Sequence, residues 1–195
     1  MQILIIKRRL HELSEHYFLA VPLPIQIKEK LDDFSQKWVG KLPFKKWTFK
    51  DDFHITLSFL GPVTYTKSVE LMDQLKEELD DFKSFSLTVQ HLGIFGNDAK
   101  PRVWWFGLEN SIELINLQHR ISNICEKIGF SVEKRSYNPH ITIAKKYNDI
   151  FDKEFKVPFT WEEDPLKFEA DEIILYKIQP SKKPSYQSVA SIKLK

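Results

Sequence analysis

The pattern His-x-Thr-x occurs twice in this chain, at residues 54–57 (HITL) and 140–143 (HITI). Polar and apolar residues alternate in both copies, which predicts that each copy lies on a β-strand. Side chains two positions apart in a strand point to the same face, roughly 6–7 Å from each other along the chain. Each copy therefore presents one imidazole and one hydroxyl group on a single face.

Two such faces opposite each other would suit in-line attack on a phosphodiester. Imidazole titrates near neutral pH, so a neutral histidine can activate water while a protonated one gives a proton to the leaving oxygen. Thr56 and Thr142 would donate hydrogen bonds to the nonbridging oxygens as negative charge develops on them. No His, Asp and Glu residues have metal-ligand spacing, so we expect His54 and His140 to act without a metal ion or other cofactor. The residues alone leave open which histidine is the acid.

The elements that position these residues follow from the spacing of apolar side chains. Three segments have helical spacing, the first beginning near Pro24 and the second capped by Thr66. A capping box of Asn110 with Glu113 begins the third, which ends at Gly129. Strands are predicted at residues 16–21, 47–49, 53–60, 85–92, 102–108, 140–145, 155–161, 167–178 and 186–194.

The order strand, helix, loop and motif strand occurs twice, over residues 17–60 and again over residues 103–146. His54 and His140 are 86 positions apart (140 − 54), and a shift of 86 carries the first strand onto residues 103–107. Order and offset agree, which predicts a duplicated unit with pseudo-twofold symmetry. Such symmetry would bring the two His-x-Thr faces together across one groove.

The composition is that of a folded chain, with 42% hydrophobic and 29% charged residues among 195. The net charge of +2 is too small to attract nucleic acid by the overall field, so binding of a polyanion depends on local basic clusters. The single cysteine, Cys125, excludes an intrachain disulfide and predicts a cytoplasmic setting. No stretch approaches the ~18 apolar residues of a membrane span. We expect a monomer without membrane contact, with an N-terminal extension at residues 1–15 and one domain at residues 16–195.

Residues 53–61 (FHITLSFLG) and 138–145 (NPHITIAK) resemble the two signature motifs of the 2H phosphoesterase superfamily. Within it, the chain is most similar to bacterial RNA 2′,3′-cyclic phosphodiesterases, a group first named 2′-5′ RNA ligases. The resemblance implies an α+β, bilobal, duplicated fold, with two antiparallel sheets around a central groove and helices on the outside. It also implies hydrolysis of RNA 2′,3′-cyclic phosphate ends to 2′-phosphomonoesters, with His54 as proton donor and His140 as base.

Substrate contacts are expected from three further residues. Lys145 stands where the family commonly has arginine, and it offers a point charge in place of a two-point grip. Ser58 likewise stands where a basic residue is common. Trp47 and Tyr176 are candidates for stacking on a base.

The expected partners are RNA ends or nucleotides that carry a cyclic phosphate. Two alternatives stay open: another 2H activity, on 2′-5′ oligonucleotides or small cyclic nucleotides, and a noncatalytic protein that binds RNA ends. Trp104 and Trp105 are adjacent in one strand, so one of them must face away from the core and is expected to line the groove.

Overall fold

The computed structural model describes residues 15–161 and 164–195. The predicted N-terminal extension lies outside these residues except for Glu15, which begins the first strand. In chain order the elements are β1 (Glu15–Pro22), α1 (Ile25–Gln36), β2 (Phe44–Trp47), a 3₁₀ turn (Lys50–Asp52), β3 (His54–Val63), α2 (Tyr65–Glu78), β4 (Phe85–Asn97), β5 (Lys100–Leu108), α3 (Ile112–Lys127), β6 (His140–Tyr147), β7 (Leu166–Ala170), β8 (Glu172–Ile178) and β9 (Tyr186–Lys193). Among the described helices, none has the length and apolar character that crossing a bilayer requires.

The strands form two antiparallel sheets, a first sheet in the order β3-β1-β8-β9 and a second in the order β2-β6-β5-β4-β7. Each motif strand pairs with the strand that opens its half of the chain, β3 with β1 and β6 with β5. The order β3-β1-β8-β9 therefore corresponds to β6-β5-β4-β7. The α+β class and the two antiparallel sheets are confirmed, and the matching strand orders agree with a duplicated unit.

The offset between the two halves differs by one residue from the prediction. Thr56 pairs with Ala20, and Thr142 pairs with Trp105. The motif residues are 86 positions apart (142 − 56), but their partners are 85 apart (105 − 20). The connection from the opening strand to the motif strand is thus one residue longer in the second half, a difference that a loop absorbs.

The helices lie outside the sheets, and the helix of each half packs against the sheet of the other half. From α1, Phe34 contacts Trp104 and Phe106 of β5, with ring centroids 5.8 and 5.5 Å apart. From α3, the Gln118 side chain donates a hydrogen bond to the Leu57 carbonyl of β3 at 3.4 Å. Each helix buries one apolar stripe in this way. Because each helix packs on the sheet of the other half, the two halves share one hydrophobic core.

Three of the strand predictions were wrong. The short strand predicted at residues 47–49 lies instead at Phe44–Trp47. Residues 167–178 form two strands instead of one, because the chain crosses from the second sheet to the first between Ala170 and Glu172. Alternating burial continues through the crossing, so the periodicity does not reveal it. No strand forms at residues 155–161. Trp161 packs there against Phe34 and Phe106 at 4.9 and 5.2 Å, so the apolar side chains of this segment serve packing without strand pairing.

Two helix caps lie close to their predicted positions but on other residues. The Thr64 hydroxyl, not that of Thr66, accepts the hydrogen bond that caps α2. Ser111, and not Asn110, caps α3 by accepting from the Leu114 amide, and it donates to Glu113 at 2.9 Å. A short polar side chain caps a helix only where the backbone enters the first turn. The sequence contains neighbouring residues that could cap each helix. Which of them does so depends on where the backbone leaves the preceding segment and enters the helix.

Candidate active site

The two motif strands face each other across one small cleft. His54, Thr56, His140 and Thr142 line it together, in a volume of about 70 Å³. The intervening Ile55 and Ile141 are fully buried on the opposite face, as the alternation predicts. Tyr137, just ahead of β6, donates a hydrogen bond to the Thr56 carbonyl at 2.9 Å. This bond ties the second motif directly to the first.

Both histidines are oriented by the same backbone contact. The Nδ1 of His54 lies 2.7 Å from the Asp52 carbonyl oxygen, and the Nδ1 of His140 lies 2.8 Å from that of Asn138. A carbonyl oxygen only accepts, so Nδ1 carries the proton in each ring and Nε2 remains available for chemistry. The Thr56 hydroxyl lies 3.0 Å from Nε2 of His54, to which it can donate. In both motifs the carbonyl belongs to the residue two positions before the histidine.

Aromatic rings surround both imidazoles. His54 packs against Phe18 and Tyr186, with ring centroids 4.8 and 5.1 Å apart. His140 lies 4.9 Å from the Phe95 ring and 6.1 Å from the Trp105 ring. Trp105 thus lies on the cleft side of the second sheet, whereas Trp104 is fully buried in the core. This arrangement agrees with the prediction that one of the two tryptophans faces away from the core.

Burial lowers the proton affinity of both histidines. The pKa of His54 is lowered to about 4, mainly by burial. The nearby charges of Lys145, His140 and Lys28 act in the same direction, and the contact with the Asp52 carbonyl opposes them. Burial also lowers the pKa of His140. Both rings are therefore neutral near pH 7 in this structure. An anionic phosphate between them would favour the imidazolium form and raise both pKa values.

A β-bulge after each threonine makes the two walls of the cleft different. The pairing shifts register at this point in both β1/β3 and β5/β6, so two consecutive residues turn inward. They are Leu57 and Ser58 in β3, and Ile143 and Ala144 in β6. The next residues, Phe59 and Lys145, line the cleft at equivalent positions, 86 apart (145 − 59). One wall therefore carries an aromatic ring that is 64% exposed, and the other carries a charge.

The other two predicted substrate contacts, Trp47 and Tyr176, lie in different surroundings. Ser58, which stands where the family commonly has a basic residue, is buried, so its side chain does not line the cleft. Trp47 is half-buried and lines a larger pocket beside the cleft. Tyr176 is only 9% exposed and stacks on Phe18 with ring centroids 5.3 Å apart. It lines neither pocket and supports the ring of Phe18 from behind.

The family model of the 2′-5′ RNA ligase superfamily matches residues 26–181. The chain belongs to this superfamily. The resemblance to 2H phosphoesterases is thereby confirmed. Escherichia coli LigT, solved in complex with 3′-AMP, has the same fold, with a TM-score of 0.77, 22% identity and coverage of 93% of this chain and 98% of that one.

Relatives of this chain in several organisms carry the name RNA 2′,3′-cyclic phosphodiesterase. The protein of Bacillus subtilis (strain 168) is 31% identical over 183 residues, which cover 94% of this chain and 98% of that protein. The protein of Geobacillus stearothermophilus is 34% identical over 187 residues, which cover 92% of this chain but only 57% of that protein. This superfamily member therefore spans little more than half the length of the Geobacillus relative.

Sequence reasoning missed four residues that line the cleft of this superfamily member: Thr48, Asp52, Phe59 and Tyr186. The Asp52 carboxylate accepts hydrogen bonds from the backbone amides of Ser185 and Tyr186 at 2.9 and 3.1 Å. Asp52 is 5% exposed, and its own carbonyl orients His54. It therefore links the end of the chain to the first motif. A carboxylate two positions before a motif histidine was visible in the sequence, but its partners lie more than 130 positions away.

Proposed function

We propose that this protein hydrolyses 2′,3′-cyclic phosphodiester ends of RNA to 2′-phosphomonoesters, without a metal ion. The observation that carries the proposal is the convergence of two imidazole–hydroxyl pairs, from separate halves of the chain, on one cleft. Membership of the 2′-5′ RNA ligase superfamily supports it, as do two relatives named RNA 2′,3′-cyclic phosphodiesterase.

In the proposed reaction, His140 accepts a proton from water through Nε2. The water oxygen attacks phosphorus in line with the bond to the 3′ oxygen. That bond breaks as Nε2 of His54 gives its proton to the leaving 3′ oxygen, which yields a 3′ hydroxyl and a 2′-phosphomonoester. The assignment of acid and base follows the resemblance to the family. The Nδ1 contacts are compatible with either assignment, because they leave Nε2 of each ring on the cleft side.

Thr56, Thr142 and Lys145 would stabilise the charge that builds on the nonbridging oxygens. Once Nε2 of His54 carries the proton, the Thr56 hydroxyl no longer donates to it and can turn to the phosphate. A donor of this kind contributes about 10²–10³-fold to kcat. Lys145 adds a positive charge on one wall of the cleft. A five-membered cyclic phosphate is strained, which lowers the demand on the protein. These contributions make a site without a metal ion sufficient.

Substitution of the histidines tests this proposal. His54→Ala and His140→Ala should each lower kcat on a short RNA with a 2′,3′-cyclic phosphate end by about 10²–10⁴-fold, the usual contribution of one acid or base. His119→Ala is the matched control, because this histidine is exposed on α3 and lines neither pocket. Wild-type rates in both motif variants would overturn the proposal.

Product analysis and chelation complete the test. The product should carry the phosphate on the 2′ oxygen, as read by phosphorus NMR, and EDTA should leave the rate unchanged. Inhibition by EDTA that a divalent ion reverses would contradict metal-independent chemistry. A panel of 2′-5′ dinucleotides and small cyclic nucleotides separates the proposed substrate from those of other 2H enzymes. Tight binding of the cyclic end without turnover would instead favour a noncatalytic RNA-end binder.

A further inference from the structure

A second and larger pocket adjoins the cleft, with a volume of about 450 Å³. The two share the lining residues Thr48, Asp52, Lys145 and Tyr186. The remaining lining comes from β2 with the residues after it, and from the loop at residues 179–185 between β8 and β9. Phe59 lines only the cleft. The larger pocket therefore opens from the Lys145 side of the cleft.

This pocket concentrates positive charge in a protein whose net charge is only +2. Five lysines line it: Lys45, Lys46, Lys145, Lys182 and Lys183. Its one carboxylate, on Asp52, is 5% exposed and already accepts from two backbone amides. Lys45 also lies 3.8 Å from the exposed Asp149 carboxylate. The pocket is thus a local cluster of positive charge, which binding of a polyanion requires when the overall charge is low.

We propose that this pocket binds the internucleotide phosphate on the 5′ side of the nucleotide that carries the cyclic phosphate. The inference rests on the proposed function and names its substrate class, which is an oligonucleotide rather than a cyclic mononucleotide. With the cyclic phosphate between His54 and His140, the preceding phosphate of the same strand is one nucleotide away. The pocket shares a wall with the cleft, so it lies where that phosphate can reach it.

Lysines suit such a contact because they are compact point charges on flexible stems. Contacts to phosphate position a strand without reading its sequence. The pocket would therefore select for the presence of a second phosphate and not for a particular base. Trp47 and Phe49 also line the pocket, so stacking of a base there is the competing interpretation. The experiment must separate charge from stacking.

Three substrates make this separation. The first is a nucleoside 2′,3′-cyclic phosphate, and the second is the dinucleotide that ends in the same cyclic nucleotide. The third is that dinucleotide with a neutral methylphosphonate in place of the internucleotide phosphate. We expect the wild-type kcat/KM to be about tenfold higher for the charged dinucleotide than for either of the others, the scale of one or two charge contacts in a solvated site. The difference should lie mainly in KM.

The loop lysines provide the matching change in the protein. Lys182→Gln/Lys183→Gln removes two charges from the pocket wall that faces β2, and leaves Lys46, whose charge lowers the pKa of Lys145. This variant should lose the preference for the charged dinucleotide and turn over the cyclic mononucleotide within about twofold of the wild-type rate. Lys153→Gln/Lys156→Gln is the control, because it removes two exposed charges that line neither pocket.

Each outcome decides the question. Equal kcat/KM for the charged dinucleotide and its methylphosphonate would overturn the phosphate contact and assign the pocket to the base or sugar. Equal losses on all three substrates in the loop variant, or the same losses in the control variant, would also overturn it. If the wild type opens no cyclic phosphate at all, the proposed function fails, a result distinct from turnover without a preference for the second phosphate.

Discussion

Two histidines in this protein are held in equivalent ways and differ in their surroundings. Each donates from Nδ1 to the carbonyl two residues before it, at 2.7 and 2.8 Å. The ring of His54 is the more enclosed, between Phe18 and Tyr186, and burial lowers its pKa to about 4. Equivalent backbone contacts thus produce the same tautomer, while different neighbours set the proton affinity.

The lowered pKa values predict an acidic optimum for kcat/KM, which reports the free enzyme. In the proposed mechanism His140 is the base and must be neutral, so activity falls below its pKa, which burial lowers from the ordinary value of 6.5. His54 is the proposed acid and must be protonated, and its protonated fraction falls as the pH rises above about 4. We therefore expect the maximum of kcat/KM below pH 6.5, with a loss of about tenfold per pH unit above both pKa values. A maximum above pH 7 would contradict these proton affinities.

The pH profile of kcat should differ in a defined direction. A bound phosphate favours the imidazolium of His54, so the alkaline limb of kcat should lie at higher pH than that of kcat/KM. Lys145→Gln removes a charge that lowers the pKa of His54, so NMR titration of the free protein should give a higher pKa for His54 in this variant than in the wild type. An unchanged or lower pKa of His54 would show that Lys145 does not act on His54 through its charge.

At the scale of secondary-structure elements, the two β-bulges determine which side chains line the walls of the cleft. Without a bulge, strict alternation would aim Ser58 and Ala144 at the cleft, because each lies two positions after its threonine. The register shift turns these residues inward and brings Phe59 and Lys145 to the surface of the cleft instead. A duplicated scaffold thereby acquires one aromatic wall and one charged wall.

The β8–β9 loop is the second element that shapes the site, and Asp52 anchors it. Asp52→Ala would leave the amides of Ser185 and Tyr186 without their acceptor, so we expect the free energy of unfolding to fall by about 1–3 kcal/mol. Hydrogen exchange at these two amides should also become faster. The exposed neighbour Asp51→Ala is the control, with an expected change within about 0.5 kcal/mol. Unchanged exchange at Ser185 and Tyr186 in Asp52→Ala would show that the carboxylate does not hold the loop.

At the scale of the whole molecule, the exchange of helices makes the two halves a single folding unit. The helix of the first half packs on β5 of the second sheet, and the helix of the second half packs on β3 of the first. The motif strands are held face to face by this shared core and by the bond from Tyr137 to Thr56. Burial of His54 against Phe18 and Tyr186 couples the cleft to the stability of the whole fold.

This coupling predicts a pH dependence of unfolding. An unfolded histidine binds its proton near pH 6.5, whereas folded His54 does so only near pH 4, so the unfolded state holds more protons between these values. Stability from this group is present above pH 6.5 and is lost as the pH falls to about 4, by roughly 3 kcal/mol. Chemical denaturation of His54→Asn should show a smaller decline over this range than the wild type.

The control for this measurement is His119→Asn, which removes an exposed histidine from α3. Comparing the two variants cancels the titration of the carboxylates, which both share with the wild type. Parallel pH profiles of the unfolding free energy for the wild type and His54→Asn would contradict the low pKa of the folded state.

The sequence by itself determined what depends on neighbouring residues. Alternation around His54 and His140 predicted two strands with the imidazoles and hydroxyls on one face, because strand geometry repeats every two residues. The matched order of elements predicted the duplication, and the motifs predicted the superfamily. The family model over residues 26–181 confirms the superfamily, and the fold confirms the two sheets.

Only the tertiary structure decided what depends on residues far apart in the chain. No local signal in the sequence indicated three of these features: the crossing between β7 and β8, the two bulges, and the hydrogen bonds that Asp52 accepts from the amides of Ser185 and Tyr186. Each of these features depends on packing between segments that meet only in the folded protein. There, the burial of side chains and the need to pair backbone groups favour one local conformation over another. The basic pocket beside the cleft also depends on the tertiary structure, because its walls come from β2 and the β8–β9 loop, which are far apart in the chain.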